Sequence, residues 1–163
     1  MRMNLPEEKP EGLDAPWVPK MMKVMSRANV ALYRATGGRL GGKWRVGSAF
    51  PKGIPICLLT TIGRKSGQPR TTPLVFIQDG DKVILVASQG GLPKDPLWYK
   101  NILANPLVSI QIGKEERSYN ARPADPEERA YYWPKLVAHY ADFDKYARWT
   151  ERTIPVVICE LVG

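Results

Sequence analysis

Apolar residues recur at helical spacing from Pro16 to Ala35. Trp17, Met21, Val24, Met25, Ala28 and Leu32 share one side, with Lys20, Lys23, Arg27 and Arg34 around them. Thr36-Gly37-Gly38 stops this helix, and Gly41-Gly42 prolongs the break. The pattern then becomes extended. Ile56 to Ile62 is an apolar, β-branched run, Gly63 to Pro69 is a turn, and Arg70 to Ile77 is a second strand. Asp79-Gly80-Asp81 has the composition of a hairpin turn and leads into a third strand from Lys82 to Ala87.

Gly90-Gly91 interrupts the chain again. Asp95 then reads as the N-cap of a helix through Leu103, with Pro96 at its first position. Val108, Ile110 and Ile112 alternate with Ser109 and Gln111, the period of a half-buried strand, and Lys114-Glu115-Glu116 turns it back into a strand near Arg117 to Ala121. Asp125-Pro126-Glu127-Glu128 is a helix start with acids in the first turn. Helical spacing runs to about Tyr140, restarts near Phe143 and ends around Thr150, before a last strand from Ile154 to Leu161. Five to seven strands with inserted helices predict an α+β chain, mainly β, whose antiparallel sheet closes into a barrel and so removes its edges.

Length and composition keep this picture to one domain. The 163 residues suffice for one core, and no repeat or long linker divides them. Residues 1–15 read as a flexible arm and 16–163 as a single barrel domain, with 16–36 its amphipathic helix. Cys57 and Cys159 each sit in an apolar run without metal-ligand spacing, which predicts buried free thiols and fits a reducing cytoplasm. The polar start, Met1 to Glu11, is not signal-like, and no apolar run reaches the roughly 20 residues that span a membrane. The net charge of +8 is unevenly placed: from Ala15 to Gln78 there is no acid and there are eleven bases, from Lys20 to Arg70. Such a stretch implies an anionic partner, whether a phosphorylated or polycarboxylate ligand, an acidic membrane surface or nucleic acid.

Three stretches carry candidate chemistry. In Gly63-Arg64-Lys65-Ser66-Gly67, a strand delivers two cations, a hydroxyl and two glycines into one turn. Glycine lets backbone approach an anion, Arg64 offers two parallel donors and Lys65 a mobile charge. A solvated hairpin tip is the plain alternative, and P-loop spacing is absent. In Ala87-Ser88-Gln89-Gly90-Gly91, a strand passes through a glycine pair toward a helix start, a place for a flat ring or an anion. Tyr140, Phe143, Tyr146 and Trp149, each three residues apart, form an aromatic stripe that serves as core or as a pocket wall. His139, the only histidine, reads as a surface or packing residue, though its ordinary pKa would suit proton donation.

With Trp98-Tyr99-Lys100-Asn101-Ile102 and Trp149-Thr150-Glu151-Arg152-Thr153-Ile154-Pro155, these stretches make the chain resemble the deazaflavin-dependent nitroreductase family over about residues 21–160. These are actinobacterial split β-barrels related to FMN-binding, pyridoxamine-oxidase-like barrels. The resemblance implies coenzyme F420, a deazaflavin with a phospholactate and glutamate tail that passes hydride from ring carbon C5. It assigns Arg64, Lys65 and Ser66 to the tail and Thr72, Pro73 and Leu74 to the ring. Val86, Ala87, Ser88, Gly90 and Gly91 would surround the ring's polar edge, with Arg70, Gln89 and Trp98 completing the set. Family members commonly carry Lys where this chain has Gln89.

On the same resemblance, Val24, Val75, Tyr140, Phe143, Tyr146 and Trp149 would line the acceptor. Tyr140, Ser88 or Tyr146 would orient or protonate it, and no metal is needed. The acceptor would be a quinone, an α,β-unsaturated ketone or lactone, or a nitro-aromatic. The N-terminal helix would act as a lid, as a contact with anionic membrane at the inner face of the cell membrane, or as both. Two rivals stand beside this reading: an FMN enzyme on the same barrel, and a non-enzymatic basic module for nucleic acid or membrane. Aromatics are not interleaved with the bases as a single-strand platform requires, which argues against nucleic acid.

Overall fold

In the computed structural model, which describes residues 5–12, 15–45 and 47–162, the first helix is α1, Val18–Thr36. Gly37 ends it in the left-handed conformation, its amide returning to the Tyr33 carbonyl. Its buried side chains are Val18, Val30 and Tyr33, whereas Trp17, Met21, Met22, Val24 and Met25 are exposed. The stripe read from spacing is therefore not the face that packs. Val30 and Tyr33, in the C-terminal half, rest on Ile56 and Leu58. The Tyr33 hydroxyl donates to the Ile56 carbonyl (3.1 Å) and accepts from the Gly113 amide (2.8 Å), tying the helix to two strands' ends.

The strands are β1 (Lys43–Trp44), β2 (Ile54–Ile62), β3 (Pro69–Asp79), β4 (Lys82–Val86), β5 (Leu107–Ile112), β6 (Glu115–Pro123) and β7 (Val156–Leu161). β1 pairs with the first residues of β2. The other six form a ring in the order β2-β3-β4-β7-β6-β5, every pair antiparallel, closed where Leu59 of β2 faces Ile110 of β5. Closure pairs the backbone groups that an open sheet would leave at its edges.

Period-two alternation sends Cys57, Leu59, Val83, Leu85, Val108, Ile110, Val157 and Cys159 into one cluster. Helix α2, Leu97–Ala104, adds Trp98, Tyr99 and Ile102 to it. Both cysteines are free and fully buried there. The opposite side of β4 and β7, with Ile84, Val86, Val156 and Ile158, packs against α3 (Pro126–His139) and α4 (Asp142–Arg148). Helix α3 begins as its sequence predicts. The Asp125 side chain accepts from the Glu128 amide while the Glu128 side chain accepts from the Asp125 amide. Arg122 grips both Glu128 oxygens at 2.7 and 2.8 Å and one oxygen of Glu160 at 2.9 Å.

Within the N-terminal arm, Leu5 and Glu7 are held against α4. Lys145 Nζ donates to the Leu5 carbonyl, Arg148 pairs with the Glu7 carboxylate at 3.0 Å, and Trp149 Nε1 donates to the Glu7 carbonyl. Among the described residues, no helix is long and apolar enough to cross a membrane.

Candidate cofactor and active site

The β2–β3 turn is built from the strand register outward. Thr61 faces Arg70 and Ile62 faces Pro69, so the last pair hands the chain to Gly63. The Gly63 amide donates to the Gln68 carbonyl and the Gly67 amide to the Gly63 carbonyl. Ser66 Oγ accepts from the Gln68 amide (3.2 Å) and lies 3.4 Å from Arg70 Nη2. Arg64, Lys65, Ser66 and Arg70 are all exposed, and among the described residues neither Arg64 nor Lys65 is paired with an acid. The turn is fixed from below by α2. Asn101 Oδ1 accepts from the Arg64 amide (3.1 Å), and Asn101 Nδ2 donates to the buried Thr61 hydroxyl (3.0 Å). In the sequence Asn101 stands out only as part of the Trp98-Tyr99-Lys100-Asn101-Ile102 run. A single buried amide has no periodic signature to mark it as a support.

A second loop follows β4. Val86, Ala87 and Ser88 are buried, and residues 89–91 form one 3-10 turn. Gln89, Gly90 and Gly91 all have positive φ, at 45°, 61° and 77°. For Gln89 that conformation is uncommon and costs roughly 1 kcal/mol or more. Behind the loop, a Cβ on Gly91 would meet the Tyr146 carbonyl at 3.0 Å and Trp149 at 3.2 Å, so only glycine fits. In front, a Cβ on Gly90 would meet nothing within 4 Å, and the same is true of Gly67 in the first turn. Both loops thus present open backbone to solvent.

Arg152 holds the second loop. Its Nε donates to the Leu92 carbonyl (3.0 Å), Nη2 to Ser88 (2.8 Å) and Ala87 (3.2 Å), and Nη1 to Ala87 (3.2 Å) and Asp95 Oδ1 (2.9 Å). Burial lowers the pKa of this guanidinium and Asp95 opposes the shift. α2 begins at Leu97, two residues after Asp95, with Pro96 as its N-cap, one residue later than the sequence predicts. α2 and the two residues before it therefore support both loops, through Asn101 at one and through the Asp95–Arg152 pair at the other. Trp98 is buried in the barrel cluster.

The remaining predicted residues separate into two groups. Thr72, Pro73 and Leu74 of β3 are half-buried, as is Val75. Tyr140, Phe143, Tyr146 and Trp149 do form a connected row, with centroids 5.1 Å apart for Tyr140–Phe143, 6.4 Å for Phe143–Tyr146 and 5.4 Å for Tyr146–Trp149. The row lies in the cluster behind the Gly91 loop, with Tyr140 only 2% exposed and Tyr146 7%. Their hydroxyls are 3.0 Å apart, and whichever accepts in that bond keeps its own proton to donate. Burial pushes the pKa of both phenols up, leaving them protonated at neutral pH. Val24 stands exposed on α1, and His139 is exposed beside Pro55 and Gln78. Among the described residues no group of three or more His, Cys, Asp or Glu could hold a metal ion.

The family model described as F420H2-dependent quinone reductase matches residues 25–161. The chain belongs to that family. Members are F420H2-dependent oxidoreductases, so F420 rather than FMN is the family's reductant. F420H2-dependent quinone reductase Rv1261c of Mycobacterium tuberculosis is 38% identical over 146 residues, which are 87% of this chain and 94% of its own. Among solved structures, an F420-H2 dependent reductase (FDR-A) is 44% identical, with a TM-score of 0.61 over 65% of this chain and 94% of its own. HutZ, a heme storage protein from Vibrio cholerae, shares the barrel at 14% identity and a TM-score of 0.53 over 66% of this chain and 82% of its own. That last likeness concerns the fold alone. The fold is the split β-barrel expected from the sequence.

The residues present fit F420. Two exposed cations, neither paired with an acid among the described residues, and Arg70 surround an open glycine turn suited to an anionic tail. The second loop offers open backbone at Gly90 and a buried hydroxyl-bearing residue, Ser88, beside it.

Proposed function

We propose that this chain binds reduced F420 across its two loops and transfers hydride to a small electron-poor acceptor, with quinones as the first class. The observation that carries the reading is the pairing of an exposed Arg64-Lys65-Ser66 turn with an open glycine loop, both supported from α2 and the segment leading into it. When bound, F420 supplies a hydride at ring carbon C5. Arg64 would hold the tail phosphate with two parallel N–H donors, Lys65 and Arg70 would add charge, and Ser66 would donate its hydroxyl proton to an oxygen. Thr72, Pro73 and Leu74 would flank the ring, and the Val86–Gly91 segment would face its polar edge.

Catalysis in this reading is positioning. Reacting atoms held within about 3–3.5 Å of one another need little further help. Ser88 is the group best placed to orient the acceptor, because it lies in the loop itself, whereas the Tyr140 and Tyr146 hydroxyls are bonded to each other inside the buried cluster behind it. Phe143, Tyr146 and Trp149 support the loop from the rear, while Val24 and Val75 would meet the acceptor from α1 and β3. Enones, lactones and nitro-aromatics share the electron-poor carbon or nitrogen that accepts hydride and extend the substrate class. The exposed Trp17, Met21, Met22 and Met25 beside Lys20, Lys23 and Arg27 support contact of α1 with an anionic membrane surface, where apolar quinones partition.

Fluorescence titration with oxidised F420 tests the cofactor claim. The parent should bind, Arg64→Ala/Lys65→Ala should bind more weakly, and the difference should shrink at high salt. Absence of binding by the parent overturns the reading. Oxidation of reduced F420 against quinone, enone and nitro-aromatic acceptors then ranks the substrates.

A further inference from the structure

We infer that Arg152 is the positioning residue for the ring end of the site: its guanidinium sets the shape of the Ser88–Gly91 loop and, through Asp95, its distance from the tail turn. This rests on the proposed cofactor reading and assigns the device that makes that site one unit.

The guanidinium ties the loop's entry to its exit. It binds the carbonyls of Ala87 and Ser88 on the near side and of Leu92 on the far side. Between these anchors lie three consecutive residues at positive φ, one of them Gln89, a conformation that persists only where the surroundings over-determine it. The loop's own bonds, from the Gly91 amide to Ser88 and from the Leu92 amide to Gln89, close a single turn. Arg152 supplies five more hydrogen bonds from one partly buried side chain, 14% exposed. Its last donor goes to Asp95, just before α2, and six residues further on Asn101 accepts from the Arg64 amide. Of that span, Leu97 to Asn101 is helical and rises roughly 6 Å at about 1.5 Å per residue, after the non-helical Asp95 and Pro96. A planar fork with fixed donor directions can serve these acceptors together. A lysine ammonium, with three donors at one point, cannot span them.

The test uses the parent, Arg152→Lys, Arg152→Gln and Arg64→Ala/Lys65→Ala. Each is titrated by fluorescence with oxidised F420 and with the ribityl deazaflavin that lacks the phospholactyl-glutamate tail. Hydrogen exchange by mass spectrometry is followed in the segment 87–95 and in the barrel strands. Arg152→Gln should raise exchange in 87–95 while β2 and β7 stay protected. It should weaken both ligands by the same factor, about tenfold, and lower kcat by about 10- to 100-fold through misplacement of the ring. Arg152→Lys should fall between the parent and Arg152→Gln in both readouts. The Arg64/Lys65 double variant should weaken only the tailed cofactor. Unchanged exchange in 87–95, full rescue by lysine, or an affinity loss confined to the tailed cofactor overturns the positioning role. Global loss of protection in both Arg152 variants also overturns it, showing a general fold requirement instead. Failure of the parent to bind either ligand overturns the cofactor reading itself and is distinguished by the exchange data.

Discussion

Asn101→Ala removes one side chain that makes two bonds, and its cost can be worked from both. The Arg64 amide loses its acceptor at 3.1 Å, and the Thr61 hydroxyl, on a fully buried residue, loses its donor at 3.0 Å. Each bond contributes a net of about 1 kcal/mol, and a buried polar group left without a partner adds about 1–3 kcal/mol. The sum is about 3–5 kcal/mol. For a domain of this size that lowers Tm by roughly 6–20 °C. Urea unfolding of the parent, Asn101→Ala, Thr61→Val and the double variant completes the cycle. Because the two side chains are partners, the double variant should cost less than the two single costs together by about 1 kcal/mol. Additivity within about 0.5 kcal/mol would falsify the claim that the Asn101–Thr61 bond supports the turn. The same Asn101→Ala protein should bind oxidised F420 more weakly, since the Arg64 backbone is no longer fixed.

Gly90→Ala and Gly91→Ala differ in what a methyl group meets. The first adds only backbone strain of about 1 kcal/mol, whereas the second also drives a Cβ into Tyr146 and Trp149 and should cost about 2–4 kcal/mol by thermal denaturation. Equal losses would refute the packing argument. The Arg122 guanidinium, and after it the Asp125 amide, hold the Glu128 carboxyl at about 2, below its ordinary 4.5. Its contribution is complete above pH 4.5 and is lost as pH falls toward 2. The stability gap between the parent and Glu128→Gln should therefore be about 1 kcal/mol near neutrality and close in acid, as read from urea midpoints against pH. Tyr140→Phe should lower stability by about 1 kcal/mol and change kcat less than threefold, since it deletes a hydroxyl facing Tyr146. A fall of 100-fold or more would make that hydroxyl the proton donor.

What the sequence disclosed tracks what burial repeats. β2, β3, β4 and β7 carry long apolar or alternating runs, and the Asp125–Glu128 box has a local signature, so these elements could be located to within about two residues. β1 could not, because Lys43 and Trp44 are both exposed and no pattern distinguishes them. Spacing locates helix α1 and its apolar stripe but does not say which residues are buried. Spacing reports where apolar residues lie on a helix, whereas Val30 and Tyr33 are buried because that half alone meets the barrel. At the site, the Arg64 turn and the glycine loop were legible as local clusters. Asn101 and Arg152 were not, since each acts on residues tens of positions away through one polar side chain.

The burial of both thiols bears on the chemistry the protein handles. Quinones and enones are electrophiles that alkylate cysteine through its thiolate. Cys57 and Cys159 are sealed within the barrel strands, and desolvation pushes the Cys159 pKa up to about 12 and that of Cys57 higher still. Neither a path nor a reactive form is offered at neutral pH. Under the proposed function, a quinone acceptor would thus meet no reactive thiol, and alkylation of either cysteine would require the barrel to open.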